Sequence, residues 1–141
     1  MLNFEYLSPD VLVDDQGITK QGQSIISLDT VCYGQSASHY KERWSGCGAH
    51  HVVACYENEI LIGMAEYLPR KVGEEVQGAI LDDFLKIVAL QTGQSVLYIS
   101  NICVLPEMRK QGFATELICE LVETYDPAYS ISMTRSSILL S

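Results

Sequence analysis

Residues 102–115 read ICVLPEMRKQGFAT and place two basic side chains and a glycine where a helix is predicted to begin. A helix N-terminus carries partial positive charge, so Arg109 and Lys110 are unfavourable there by a few tenths of a kcal/mol to about 1 kcal/mol. The N–H groups of a first helical turn have no partner within the helix and bind phosphate well. A phosphate held there, with Gly112 leaving the backbone open, would account for both bases. The alternative is a solvated basic pair beside an incidental glycine, because short glycine motifs are weak evidence.

A second group of chemically capable side chains lies in CGAHHVVAC, which sets Cys47, His50, His51 and Cys55 close together, with His39 nearby. The spacing permits a zinc ligand set, but no second ligand pair exists and the segment from His51 onward has the pattern of a strand. We therefore predict no metal. The sequence also contains no G-x-S-x-G turn, which is the motif typical of many Ser-His-Asp hydrolases.

The composition bounds the class of protein. The 141 residues suffice for one domain, 1–141, and a hydrophobic content of 48% argues against disorder. A net charge of −9 disfavours nucleic acid and anionic membranes as partners and favours a cationic one. No apolar run is long enough to span a membrane, the N-terminal residues lack the basic start of a signal peptide, and the five cysteines have no framework spacing. These features predict a soluble cytoplasmic protein with free thiols.

The strands are predicted from β-branched runs. His51–Tyr56 and Ile60–Leu68 flank ENE as in a β-hairpin, with Pro69 ending the second strand. SVLYISNICVLP has the pattern of a buried strand ended by Pro106, and YSISMTR alternates as a last strand.

The helices are predicted from apolar periodicity. Residues 110–125 repeat apolar positions at i, i+3 and i+4 until Asp126-Pro127, and residues 79–92 carry a similar face. Residues 25–44 favour a helix broken near Gly34, whereas 1–24 are turn-rich and predicted to pack loosely.

ICVLPEMRKQGFATELICELV resembles the signature of the GNAT superfamily of acyl-CoA-dependent N-acyltransferases. Val104 and Pro106 match the end of the V-x-P-x-x-R strand, and Arg109, Gly112 and Ala114 fill the defined positions of the turn that follows. The upstream hairpin with GMAEY in its second strand is similar to the strands that precede this signature. The resemblance implies an α/β (α+β) fold, a mixed, largely antiparallel sheet with helices on both faces.

The resemblance also implies a cofactor site. In the family, backbone amides of the turn hold the pyrophosphate of CoA, here those of Lys110, Gln111, Gly112, Phe113 and Ala114, with charge from Arg109. The pantetheine arm pairs with the strand edge, here the backbone of Ile102 and Val104.

Two features depart from the family pattern. The family usually continues past its last signature strand with a helix and two strands carrying a tyrosine that protonates the departing thiolate, and too few residues follow YSISMTR for these. The helical pattern at 79–92 stands where the family has a tight connection, so we expect it to reshape the acceptor side.

Acyl transfer to an amine needs a base and a proton donor. Glu66, on the second hairpin strand, is one candidate base, with an exposed strand-edge carboxylate as the alternative. Tyr98, on the signature strand, is a candidate for relaying a proton or donating one to the thiolate, with a half-buried strand aromatic as the alternative. Ser100 and Asn101 can order a water or the acceptor, or mark a β-bulge. Cys103 is expected to be a small buried apolar residue.

The resemblance predicts an N-acyltransferase that uses acetyl-CoA and a small-molecule or peptide amine by direct transfer. The alternative is a shortened, non-catalytic domain that binds CoA or a protein. An unfinished sheet edge also favours a homodimer in which a second subunit donates strands.

Overall fold

The computed structural model describes residues 2–34, 40–46, 48–71, 94–127 and 129–132. These residues form a sheet with helices on both faces and a small hairpin. The strands are β1 (Leu2–Leu7), β2 (Val13–Asp14), β3 (Gly17–Ile18), β4 (His51–Glu57), β5 (Ile60–Lys71), β6 (Ser95–Val104) and β7 (Tyr129–Ser132). The helices are α1 (Pro9–Leu12), α2 (Lys20–Tyr33), α3 (Tyr40–Arg43) and α4 (Phe113–Tyr125), with a 3₁₀ turn at Pro106–Met108.

The main sheet has five strands in the order β1-β4-β5-β6-β7. The first three pairings are antiparallel, and β6 and β7 run parallel from Val96↔Tyr129 to Ile99↔Ser132. The predicted mixed, largely antiparallel sheet with helices on both faces is confirmed.

The β4–β5 hairpin is confirmed, and its turn is tight. Glu57 pairs with Ile60, and the two residues between them, Asn58 and Glu59, both have positive φ, as a type I′ turn requires. The prediction that Pro69 ends β5 is wrong, because the strand continues to Lys71. β4 begins opposite Tyr67, so within the described chain the edge of β5 that faces β4 has no strand partner after Tyr67. Pro69 lies in this part of β5, and a proline is tolerated where its missing N–H is not needed for pairing.

One face of the sheet is covered by α1, α2 and α3. Thr19 caps α2 by accepting a hydrogen bond from the Gly22 amide at 3.1 Å, and Gly34 ends the helix in the left-handed conformation. The helix therefore begins earlier than the predicted 25–44 segment, although its break at Gly34 is confirmed. Loose packing of 1–24 is also wrong, because β1 pairs along β4 and both Leu7 and Leu12 are buried in the core.

The opposite face is covered by α4, whose Leu117 and Leu121 are fully buried against the sheet. The prediction of this helix is confirmed, except that it begins at Phe113 rather than at residue 110. Asp126, with φ 44°, ends it as expected. The predicted helix at 79–92 and the last residues of YSISMTR, 133–135, lie outside the described residues.

None of the described helices is long and apolar enough to cross a membrane.

Candidate active site

The end of β6 carries backbone groups on the edge that faces away from β5. The Leu105 amide donates to the Ile62 carbonyl at 2.8 Å, and pairs in an antiparallel ladder alternate between hydrogen-bonded and non-hydrogen-bonded. The backbone groups of Ile102 and Val104 therefore point away from β5. Pairing with β7 is described only as far as Ile99, so the structure places both predicted strand-edge residues where an extended ligand can pair with them.

The carbonyl groups on this edge already accept hydrogen bonds from side chains. The Tyr33 hydroxyl donates to the Ile102 carbonyl at 2.5 Å, and the Cys32 thiol donates to the Val104 carbonyl at 3.3 Å. Arg109 Nε donates to the same Val104 oxygen at 3.2 Å. The sequence did not predict these contacts from α2. Because they occupy the carbonyl oxygens, a ligand at this edge would pair with the amides of Ile102 and Val104.

The turn between β6 and α4 contains two residues with a left-handed backbone. Lys110 has φ 65° and Gly112 has φ 86°, and such left-handed residues within a turn make successive N–H groups converge into an anion-binding concavity. Gly112 is the N-cap of α4 and no side chain caps the helix. The Glu116 amide bonds the Gly112 carbonyl, so the amides of the first turn, from Phe113 and Ala114 onward, precede the first intrahelical bond.

The two basic side chains of this turn are placed differently. Arg109 Nη2 donates to the Cys32 carbonyl at 2.9 Å, so its guanidinium ties the turn to α2 instead of extending outward. Lys110 is exposed, as are Gln111 and Gly112, while Phe113 and Ala114 are half-buried. The pKa of Cys32 is lowered, first by a hydrogen bond with Cys103 and further by the positive charge of Arg109, after the opposing effect of burial.

Midway along β6, Ser100 forms a β-bulge. Asn101 pairs with Glu66 and Ile99 with Tyr67, which leaves Ser100 unpaired between them. Its hydroxyl donates to the Glu66 carbonyl at 3.1 Å and lies 2.9 Å from His50 Nδ1. The predicted bulge is confirmed. It brings the Ser100 hydroxyl to His50, which the sequence analysis considered only as a metal ligand.

The Glu66 carboxylate is fully buried, so the alternative of an exposed strand-edge carboxylate is wrong. It forms an ion pair with Arg43 and accepts a hydrogen bond from Trp44 Nε1 at 2.8 Å. Both oxygens of this buried carboxylate are therefore engaged. The structure thus joins Glu66 to α3.

Tyr98 is half-buried, two residues before the bulge, on the sheet face opposite its neighbours Leu97 and Ile99. Asn101 is buried on the α2 side, and its Nδ2 donates to Asp29 at 3.2 Å. Among the described residues, the buried Oδ1 of Asn101 has no donor. A buried acceptor left unpaired costs about 1–3 kcal/mol.

His50 stays neutral at physiological pH. Burial lowers its pKa to about 4, assisted by the positive charges of Arg43 and Arg70 and by His51. The pKa of His51 is also lowered, by burial and then by Arg70. Its ring stacks on Tyr67, with 5.6 Å between centroids, so the two adjacent histidines have different surroundings.

Within the described residues no group of three or more His, Cys, Asp or Glu side chains could hold a metal ion. Cys47 and His39 of the sequence cluster lie outside those residues. Cys103 is fully buried, as expected.

The predicted residues fall into two groups joined by β6. Ile102 and Val104 lead along the strand edge into the turn at 109–114, whereas Glu66 and Tyr98 lie on the α2 side of the sheet near the bulge. Sequence reasoning missed His50, Arg43 and Trp44 as members of the second group. The polar pair Ser100-Asn101 within an apolar strand was the signal that could have located it.

Among the described residues, a strand of a mixed sheet leads through a turn into a helix whose N-terminus has no side-chain cap. The sequence model described as the acetyltransferase (GNAT) family matches residues 22–129. The chain therefore belongs to the GNAT acetyltransferase family, as the resemblance implied. No protein with a curated description matches the sequence.

Solved structures with the same fold include several acetyltransferases. A ribosomal-protein-alanine N-acetyltransferase from Brucella melitensis biovar Abortus 2308 is 13% identical, with a TM-score of 0.60 over 96% of this chain and 81% of that one. An aminoglycoside 6′-N-acetyltransferase from Acinetobacter baumannii is 18% identical, with a TM-score of 0.58 over 99% and 84%. An aminoglycoside N-acetyltransferase in complex with CoA is 15% identical, with a TM-score of 0.57 over 99% and 81%. At these identities the likeness shows the fold.

Proposed function

We propose that the protein is an N-acetyltransferase that transfers the acetyl group of acetyl-CoA directly to an amine. The observation that carries the proposal is the turn after β6, where left-handed Lys110 and Gly112 expose the uncapped N-terminus of α4. Backbone amides at a helix N-terminus suit a pyrophosphate. Membership of the acetyltransferase (GNAT) family supports CoA as the owner of that pyrophosphate.

The pantetheine arm is proposed to run from this turn along the open edge of β6. The amides of Ile102 and Val104 would donate to its carbonyl groups, as a strand partner does. The bulge at Ser100 lies four positions before Val104, a distance of about 13 Å at the usual rise per residue of a strand. A thioester carried along this edge would reach the bulge.

At the bulge, the acceptor amine would attack the thioester carbonyl in a ternary complex. The C–N bond forms, the C–S bond breaks, and the amine loses a proton while the thiolate gains one. Holding both reactants in place can supply roughly 7 kcal/mol of the barrier. We assign Tyr98 the role of proton donor to the thiolate, because it lies on β6 two residues before the bulge.

The acceptor is proposed to be a primary amine of a small molecule or a peptide terminus. This choice is supported by the names of two acetyltransferases with a similar fold, which specify the alanine of a ribosomal protein and an aminoglycoside. The buried Asn101 Oδ1, which has no donor among the described residues, supports an N–H donor arriving at the bulge.

The proposal is tested by titrating the protein with acetyl-CoA in a calorimeter and then measuring free thiol release with a panel of amines. Saturable binding and amine-dependent thiol release are expected. Desulfo-CoA, which retains the pyrophosphate but cannot carry an acetyl group, should bind and inhibit. Absence of acetyl-CoA binding would refute the cofactor site, whereas binding without thiol release from any amine would refute the transferase and favour a non-catalytic CoA-binding domain.

A further inference from the structure

A closed circuit of contacts surrounds the β6 bulge. The Glu66 carboxylate binds Arg43 and Trp44 at the end of α3, and the His50 amide donates to the Arg43 carbonyl at 2.8 Å. His50 Nδ1 then contacts the Ser100 hydroxyl, which returns to the Glu66 carbonyl. The imidazole of His50 is therefore fixed from both its backbone and its ring, against the strand whose open edge begins at the bulge.

The hydrogen bonds of this circuit determine the histidine tautomer. The Ser100 hydroxyl carries one hydrogen and donates it to the Glu66 carbonyl at 3.1 Å. Its 2.9 Å contact with His50 Nδ1 then requires that Nδ1 be the donor. A neutral imidazole carries hydrogen on one nitrogen only, so Nε2 keeps a free lone pair. Because Ser100 has spent its hydrogen on a carbonyl, His50 does not activate it as a nucleophile.

We propose that His50 Nε2 accepts the proton of the attacking amine, and that Glu66 is a positioning residue that holds His50 at the bulge. The inference rests on the proposed acetyl transfer and deepens it. As the amine nitrogen bonds the thioester carbon, its proton passes to Nε2. The C–S bond then breaks and the thiolate is protonated, which yields the amide and CoA. The imidazolium returns its proton to solvent.

The charges around His50 suit this role. Arg43 on α3, Arg70 on β5 and His51 on β4 face it, and burial together with these groups keeps its lone pair free at neutral pH. A base of low pKa does not deprotonate a free alkylammonium ion, so the amine must bind in its neutral form. The amine nitrogen becomes acidic only as it bonds the carbonyl carbon, and His50 accepts its proton at that stage.

The kinetic test uses His50→Asn in the full chain, with His51→Asn as the matched control. The asparagine amide can still donate to Ser100 but has nothing in place of Nε2. We expect kcat for thiol release to fall about 10²-fold or more, the range for loss of a general base. The Kd for acetyl-CoA should stay within about twofold, and His51→Asn should retain most activity, since stacking on Tyr67 is not a proton-transfer role.

The outcomes separate this inference from the proposed function. Wild-type protein without turnover refutes the transferase and with it the role of His50. Wild-type turnover with unchanged kcat in His50→Asn overturns the role of His50 alone. Glu66→Gln should lower kcat less than His50→Asn does, because it acts through α3; an equal or larger loss in Glu66→Gln, measured on protein that is still folded at the assay temperature, would return the base role to Glu66.

A spectroscopic measurement tests the geometry without activity. Long-range ¹H–¹⁵N correlation of the wild-type protein should show a protonated Nδ1 and an unprotonated Nε2 for His50 near pH 7. Its titration should show a pKa of about 4, and Arg70→Gln should raise that pKa by removing a positive charge. An Nε2–H tautomer, or a pKa near that of a free histidine, would overturn the inference.

Discussion

At the scale of single residues, the backbone of the β6–α4 turn is more informative than its side chains. Arg109 and Lys110 first suggested an anion, yet the Arg109 guanidinium binds the carbonyls of Val104 and Cys32. The groups proposed to contact a ligand are therefore the backbone amides of the turn. Their convergence depends on the left-handed backbone of Lys110 and Gly112. The unfavourable placement of two bases at a helix start therefore has two explanations, a structural contact for Arg109 and a proposed phosphate near Lys110.

Gly112→Glu is expected to abolish acetyl-CoA binding in a calorimetric titration. The new side chain would put negative charge at the proposed pyrophosphate and force a non-glycine residue to φ 86°. The matched control is Gly46→Glu. Gly46 also has a positive φ, 76°, and no atom of the described residues lies within 4 Å of a Cβ added there. It precedes β4, towards the end of the sheet away from the β6–α4 turn. Affinity that survives in Gly112→Glu, or is lost equally in Gly46→Glu, would place the phosphate site elsewhere.

At the scale of elements, the sequence predicted those that carry their own signal. The hairpin, β6 and α4 have clear periodicity, so their existence and type were predictable. Helix α2 was misplaced because its buried positions include Gly22 and Asp29, which do not stand out as apolar. The acceptor side could not be predicted, since the circuit through His50, Arg43 and Glu66 joins residues distant in sequence that only the sheet register brings together.

Glu66→Gln tests the buried ion pair that attaches α3 to the sheet. The amide can still accept from Trp44, but Arg43 loses the negative charge of this carboxylate, and removing one partner of a buried pair costs about 3–5 kcal/mol. Because Arg43 is 25% exposed, we expect a loss of about 2–3 kcal/mol in the free energy of unfolding, measured with urea.

The control for this pair is the double variant Arg43→Met with Glu66→Gln. Its loss should be smaller than the sum of the two single losses, since neither partner is then left without the other. Strict additivity would show that the contact contributes nothing to the attachment of α3.

Gly22→Ala tests how closely α2 packs against the preceding segment. Alanine normally stabilises a helix by about 1 kcal/mol over glycine. Here the added Cβ would lie 2.4 Å from the Leu12 carbonyl oxygen and 2.7 Å from Ile18 Cγ2. We expect the clash to win and the free energy of unfolding to fall by about 1–3 kcal/mol. Ser27→Ala, on the exposed side of the same helix, should be neutral or stabilising; a stabilising Gly22→Ala would contradict the packing.

At the scale of the whole molecule, β6 links two different environments. Its final residues lead into the amide-lined turn, and its bulge opens on the side of α2 and α3, where the buried polar residues collect. The other face, under α4, is occupied by apolar side chains such as Ile99 and Leu117. The chain carries a net charge of −9, whereas Arg43 and Arg70 place positive charge near His50, with the Glu66 carboxylate paired to Arg43.

The burial of His50, assisted by the nearby arginines, makes the stability of the fold depend on pH. The pKa of His50 is about 4 in the fold and about 6.5 in an unfolded chain, so the unfolded state binds more protons between these values. Stability contributed by neutral His50 is therefore fully present above about pH 6.5 and is lost as pH falls towards 4, and the lowered pKa of His51 adds a loss of the same sign. Urea unfolding at about pH 7 and about pH 5, above the range of most carboxylates, should show a decrease in the wild type that is smaller in His50→Asn. The His51→Asn variant, which keeps His50, should retain the part of the decrease that His50 causes. Equal pH dependence in the wild type and His50→Asn would mean that burial and the arginines do not lower the pKa of His50, and the neutral imidazole on which the proposed proton transfer depends would lose its physical basis.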